Sequence, residues 1–287
     1  MSNSSSLRSI LTLETSIAGS FGKKSISQIL LKHAAKILFF PLLFISLQPT
    51  LQYFKRIMAH IVDVSGRECH LYKDSNAEFL LVQPIDEHDL EVLDQEVEMI
   101  KELSDKPFSL AAFMIKDWNQ ELTPWSAPPV FGKIPFGSGA EGTLKFITNQ
   151  LLPVVQEETA HVILGGYSLA GLFALWASYQ TDRFEGIVAA SSSVWFPKWI
   201  EYAQDNKPLA NTIYLSLGDK EEKAKNPVMA QVGNAIRKQH EILKAQIDNT
   251  ILEWNPGNHF IDSEKRTAKG FVWVMNMMDL RKAKNNR

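Results

Sequence analysis

The chain has 287 residues, 45% of them hydrophobic, 22% charged and 10% aromatic, with a formal net charge of -2 and a single cysteine. That much apolar side chain excludes disorder for most of the length, and the near-neutral total argues against a nucleic-acid partner held by bulk charge. Cys69 alone forms no internal disulfide, so nothing here requires an oxidising compartment and a cytoplasmic setting is expected.

The average conceals an asymmetry. Residues 1–57 hold seven basic side chains against the single acid Glu14, a net +6, while residues 58–287 hold 23 basic and 31 acidic residues, a net -8. The front piece is serine-rich, and its apolar run, residues 37–47, is too short to cross a hydrocarbon core, which takes roughly 20 residues. No small-residue cleavage site follows it, which argues against a secretory signal. Its composition also suits an organelle transit peptide or a helix lying on a membrane surface. Residues 1–57 are therefore read as a basic leader. Met58 is taken as the working start, because regular strand and helix patterning begins just after it.

Beyond Met58, short apolar runs of strand length occur at 78–85, 109–115, 161–166, 186–195, 212–217 and 250–254. Most are continuous rather than alternating, as for parallel strands covered on both faces. Between them come helical periods. Leu90, Leu93, Val97 and Ile100 repeat at spacings of 3, 4 and 3, as do Leu144, Ile147, Leu151 and Val154, and further helices are expected at 169–179, 229–243 and 271–280. Strand and helix in alternation predict βαβ units and a three-layer α/β/α sandwich on a mostly parallel sheet, occupying residues 58–287 as one domain. Residues 117–142 break the rhythm with four prolines and several aromatics. A loop this long is usually functional, so Trp118, Trp125 and Phe131 are candidates for lining a pocket, or for pinning the loop to the sheet.

After the run 161–166 comes Gly166-Tyr167-Ser168-Leu169-Ala170-Gly171 and then a helical stretch. This is the strand–serine–helix order of a nucleophile elbow, with Ala170 where the commonest motif has glycine. The turn strains the serine backbone, so the neighbours two residues away must be small. Tyr167 fills a position where side-chain identity is free. A serine hydroxyl needs a base to take its proton and an acid to orient that base, in the order serine, acid, histidine at later strand ends. His259, in Asn255-Pro256-Gly257-Asn258-His259, is the one histidine that follows the last strand. The acid is Glu221, preferred over Asp219, in Gly218-Asp219-Lys220-Glu221-Glu222. The two N–H donors of an oxyanion hole are expected from Leu169 and from Ile85 or Asp86.

With these residues in place the chain resembles the esterase branch of the α/β-hydrolase superfamily that contains esterase D and the ferric-enterobactin esterases. The resemblance runs over about residues 58–287 and rests on G-Y-S-L-A-G-L, F-E-G-I-V-A-A-S-S-S-V-W-F, Y-L-S-L-G-D-K-E-E and N-P-G-N-H-F. It implies an α/β-hydrolase fold and hydrolysis of a small-molecule carboxylic ester through an acyl-enzyme. Ser168 is then the nucleophile, His259 the base and Glu221 the orienting acid. With no long lid insert after 186–195, the substrate pocket is expected among Trp118, Trp125, Tyr167 and Trp195, near Phe196 and Trp199. Gly137-Ser138-Gly139-Ala140-Glu141-Gly142 matches a dinucleotide fingerprint, but no buried strand precedes it. It is read as the end of a loop and the start of a helix, and no cofactor or metal is expected. Acyl transfer to an alcohol would use the same residues. A non-catalytic binding protein of the same fold is disfavoured, because serine, acid and histidine stand together in order.

Overall fold

The computed structural model describes residues 59–285 apart from Phe131 and residues 157–160; the leader 1–57, Met58 and Phe131 lie outside it. β1 (His60–Val64) and β2 (Arg67–Tyr72) pair antiparallel across Ser65-Gly66, whose φ values of 54° and 82° belong to the turns that match strand twist in two-residue hairpins. β3 (Phe79–Ile85) follows, then α1 (Glu87–Leu103) and β4 (Phe108–Met114). Asp86 caps α1 and exchanges side-chain bonds with Asp89 in a capping box.

Next come a short α2 (Trp118–Glu121) and α3 (Ala140–Phe146), a π-helical turn (Ile147–Leu151) and α4 (Leu152–Val155). Pro153, with no N–H to donate backward, sits just beyond the π turn. The remaining elements are β5 (His161–Tyr167), α5 (Leu169–Ser178), β6 (Gly186–Ala190), α6 (Trp199–Asp205), β7 (Thr212–Gly218), α7 (Val232–Gln246), β8 (Asn249–Asn255) and α8 (Ser263–Asn285). Among the described residues no helix is long and apolar enough to cross a membrane.

The sheet runs β1-β2-β4-β3-β5-β6-β7-β8, parallel from β4 onward. This is the expected three-layer sandwich, and both faces of its strands are apolar for a visible reason. On β3, Phe79 and Leu81 pack with Leu93 and Val97 of α1 and Phe271 of α8, while Leu80 and Val82 pack with Ile147, Leu172 and Phe173 on the opposite side. Period-2 alternation thus feeds two cores, and the sequence between reads as unbroken hydrophobicity. α5 is buried along its whole length, as a helix apolar all round must be. Because β3 lies between β4 and β5, the loop leaving β3 ends beside the turn leaving β5.

Two expectations are corrected, and one element was not foreseen. The strand expected over 186–195 stops at Ala190, where Ser191 turns to φ 42° and three buried serines run beneath the elbow. The helix expected over 271–280 begins at Ser263, because apolar periodicity marked only its core-facing stretch. The β1–β2 hairpin was not expected from the sequence: both strands are short, and only the second buries most of its residues.

Candidate active site

Three strand ends set the site. β5 runs into Ser168, whose backbone takes φ 59°, ψ -119° before α5 begins. A non-glycine residue there stores about 1–3 kcal/mol of strain, held by bonds from Ser168 N–H to Ala190 O (3.0 Å) and from Ser193 N–H to Ser168 O (3.0 Å). The small-residue requirement is steric: a Cβ on Gly166 would stand 2.5 Å from Ala170 Cβ and 2.7 Å from its backbone carbon.

β7 ends at Gly218, and Glu221 follows in a single 3-10 turn. β8 ends at Asn255, and His259 lies four residues further on. The structure brings these together. His259 Nε2 is 3.0 Å from Ser168 Oγ, and His259 Nδ1 is 2.7 Å from Glu221 Oε2. With the proton on Nδ1 and donated to the Glu221 carboxylate, Nε2 is the acceptor that faces the serine hydroxyl. Glu221 is 6% exposed, and its other oxygen accepts from Gly218 N–H at 2.7 Å and from Arg266 Nη1 at 3.0 Å. Asp219 is placed differently: it is exposed, and its Oδ1 accepts from Gly257 N–H at 2.8 Å, bracing the histidine loop.

The corner is too tight for a side chain at 218. A Cβ there would lie 2.5 Å from Gly257 O, 2.9 Å from Glu221 Oε1 and 3.0 Å from Arg266 Nη1. Tyr167 is not free either. Its hydroxyl donates to His259 O at 2.8 Å, its ring centroid is 5.2 Å from the imidazole, and burial pushes its phenol up to about 12.

Two cavities meet at the serine, of about 810 and 150 Å³, and Trp118, Ser168, His259 and Phe260 line both. The larger is walled by Leu169, Trp195, Met229 and Val232, with Lys220, Lys223 and Lys225 on the same lining. Asp86, Asp89 and Tyr167 face the smaller. Leu169 opens α5, so its N–H has no intrahelical partner. Ile85 is the last residue of β3, buried; it gives its carbonyl to Ile115 N–H and lines neither cavity. Asp86 is the residue of that loop at the smaller cavity, and its N–H makes a 3.4 Å bond to Asp89 Oδ2.

Trp125 is placed away from both cavities. Its ring lies 5.8 Å from Phe196 and 6.4 Å from Trp199, and its Nε1 donates to Pro197 O at 2.8 Å. Phe196 and Trp199 are buried and Trp125 is partly buried against them, so this group pins the loop to the body. Among the described residues no cluster of three or more His, Cys, Asp or Glu side chains is arranged to hold a metal ion.

Sequence reasoning missed Phe260, the lysines of the larger cavity, Ser193 (Oγ 3.4 Å from Ser168 Oγ) and Arg266. The sequence held no signal for Arg266, because the helix that carries it was expected to begin only at 271 and its partners Glu221 and Tyr167 lie 45 and 99 positions away.

No curated protein sequence matches the chain. The fold is similar to that of a siderophore hydrolase, EstA, from Aspergillus nidulans (18% identity, TM-score 0.60, 78% of this chain and 95% of that one). It is also similar to an IroE-like serine hydrolase from Shewanella oneidensis (18%, 0.58, 72% and 74%) and to the enterobactin esterase FES from Shigella flexneri (15%, 0.56, 77% and 60%). A family model described as "Putative esterase" matches residues 115–259, just over half of the 287 residues and a span from the end of β4 to the histidine. The chain belongs to that esterase family, and with it to the carboxylic ester hydrolases of α/β-hydrolase fold.

Proposed function

We propose that the protein cleaves a small-molecule carboxylic ester through an acyl-enzyme on Ser168. The observation that carries the reading is the unbroken relay Ser168 Oγ–His259 Nε2, 3.0 Å, and His259 Nδ1–Glu221 Oε2, 2.7 Å, opening onto two cavities. His259 takes the serine proton as Oγ bonds to the ester carbon, and returns it to the departing alkoxide as the C–O bond breaks. Water then repeats the sequence: His259 removes its proton, the hydroxide attacks the acyl carbon, and Ser168 leaves with the proton restored. Glu221 fixes the tautomer and stabilises the transient imidazolium.

Leu169 N–H is one donor to the oxyanion. Of the two candidates, Asp86 is the residue at a cavity, and its N–H, which would exchange the long bond to Asp89 Oδ2 for the oxyanion, takes the second role in this scheme. Trp118, Trp195 and Phe260 form the apolar walls against which the substrate rests. The division of the chain belongs to the same proposal: residues 58–287 are the catalytic domain and 1–57 a leader, in keeping with a compact unit that spans Ile57–Arg287 and holds every residue of the site.

Ser168→Ala tests the reading. It should lower p-nitrophenyl acetate hydrolysis on the order of 10⁴-fold or more, and the wild-type protein should release a burst of p-nitrophenol equal to the enzyme present, as an accumulating acyl-enzyme requires. A variant that keeps wild-type turnover removes the serine from the mechanism.

A further inference from the structure

Arg266 is 1% exposed and sits in the first turn of α8. Its two terminal nitrogens reach groups at the ends of three different strands and in the histidine loop. Nη1 shares its hydrogens among Glu221 Oε1, Tyr167 Oη and Ser191 Oγ, each at 3.0 Å. Nη2 donates to Pro256 O at 3.1 Å and Asn258 O at 2.9 Å. Tyr167 directly precedes the nucleophile, Ser191 follows β6, Glu221 follows β7, and Pro256 and Asn258 flank the approach to His259. One side chain therefore ties together the segments that carry serine, acid and histidine.

Two features separate this from ordinary packing. A cation in the first turn of a helix opposes the macrodipole, so helix stability does not favour arginine here. Its Nε–H is buried without an acceptor among the described residues, a penalty that apolar packing would avoid. The acceptors it does satisfy all belong to the relay or its supports.

We propose that Arg266 is a positioning residue for the ester-hydrolase mechanism above, holding Glu221 in register with the imidazole and the histidine loop in register with Ser168. The inference rests on that mechanism. It carries two separable consequences, one of geometry and one of charge. The planar fork that grips both Pro256 O and Asn258 O cannot be reproduced by an ammonium, so Lys at this position keeps the charge and loses the grip. The charge draws part of the Glu221 field away from the imidazolium, so a neutral residue leaves that field undivided and favours the protonated ring. The other charged groups facing His259 are Asp86, His88 and Asp89 across the smaller cavity and Lys220, Lys223 and Lys225 on the larger; all of them stay in place in either variant.

The test is steady-state hydrolysis of p-nitrophenyl acetate as a function of pH for the full chain, Arg266→Gln and Arg266→Lys, with folding checked by circular dichroism. Arg266→Gln should lower kcat roughly 10- to 100-fold, as expected when reacting groups shift by about an ångström, with KM changed less than about threefold. It should also move the acid limb of kcat/KM to higher pH by about half a unit or more. Arg266→Lys should lose kcat while its acid limb stays at the wild-type pH. A folded Arg266→Gln protein with wild-type kcat and an unmoved limb overturns the proposal. If that variant does not fold, Arg266→Lys carries the test, and wild-type kcat in it overturns the proposal equally. Absence of hydrolysis and of any burst in the wild-type protein is a different failure, that of the ester-hydrolase mechanism itself.

Discussion

Replacing Glu221 by Gln should separate it sharply from Asp219, the neighbouring carboxylate. Glu221 accepts three short bonds in a nearly closed site: His259 Nδ1 at 2.7 Å, Gly218 N–H at 2.7 Å and Arg266 Nη1 at 3.0 Å. Bonds to a charged partner contribute about 1.5–3 kcal/mol and neutral ones about 1, so removing the charge weakens each bond by roughly 1 kcal/mol and the site by about 3. The same substitution leaves the buried Arg266 cation without its counter-ion, which alone costs about 3–5 kcal/mol in comparable cases. The two figures overlap in the Arg266 bond and are not summed; the expected loss is about 3–5 kcal/mol, a Tm lower by about 6–20 °C for a domain of this size, with kcat down on the order of 10³–10⁴-fold because the imidazole loses its fixed tautomer and its charge partner. Asp219 is exposed and makes one bond, to Gly257 N–H at 2.8 Å. Asp219→Asn keeps an acceptor there, and should cost about 1 kcal/mol or less with kcat within about threefold of wild type. Thermal unfolding and p-nitrophenyl acetate kinetics on the two variants read both quantities. The reverse pattern, with Asp219→Asn inactive and Glu221→Gln retaining a tenth or more of wild-type kcat, would refute the assignment.

Further outcomes follow from the cavity walls, from Asp89 and from the buried Cys69. Trp118→Ala, at the junction of both cavities, should raise KM, whereas Trp125→Ala should leave KM alone and destabilise the fold by about 3 kcal/mol; equal KM effects would place Trp125 in the pocket after all. Burial pushes Asp89 up to about 7 from an ordinary 3.8, with the neighbouring Asp86 charge adding to it. The folded state then binds more protons than the unfolded one between those values, so this group's stabilisation is full below about pH 4 and is lost as pH rises through 7. Asp89→Asn should accordingly gain stability relative to wild type as pH rises across that window, and a pH-independent difference in urea midpoints would contradict it. Burial likewise holds the Cys69 thiol at about 11, so a disulfide reagent at pH 8 should modify it only after unfolding. Immediate reaction of one thiol in the folded protein would show the side chain to be accessible.

How much of this was legible in the sequence depends on whether the signal was local. The interior parallel strands announced themselves as short apolar runs, because burial on both faces leaves no polar alternation to blur them. The elbow was readable because Gly166 and Ala170 must be small for a reason confined to five residues. The hairpin β1–β2 was not, since its first strand is mostly exposed at the sheet edge. At the site, Ser168, Glu221 and His259 were found by chain order, but their supports were not. Arg266 touches Tyr167 across 99 positions of sequence and Glu221 across 45, and no periodicity or motif encodes contacts of that range. Trp125 shows the converse case. An aromatic in a proline-rich loop reads the same whether it faces a cavity or the body, and only the positions of Phe196 and Trp199 decide it.

The central claim is that Ser168 is a nucleophile activated by His259. Its most direct test is covalent labelling of the folded protein with a fluorophosphonate probe, followed by mass spectrometry of the peptide that carries the adduct. One probe per chain on Ser168, lost in Ser168→Ala and strongly slowed in His259→Ala, is the predicted result. A folded wild-type protein that takes up no probe, or takes it up at another residue, would contradict the account.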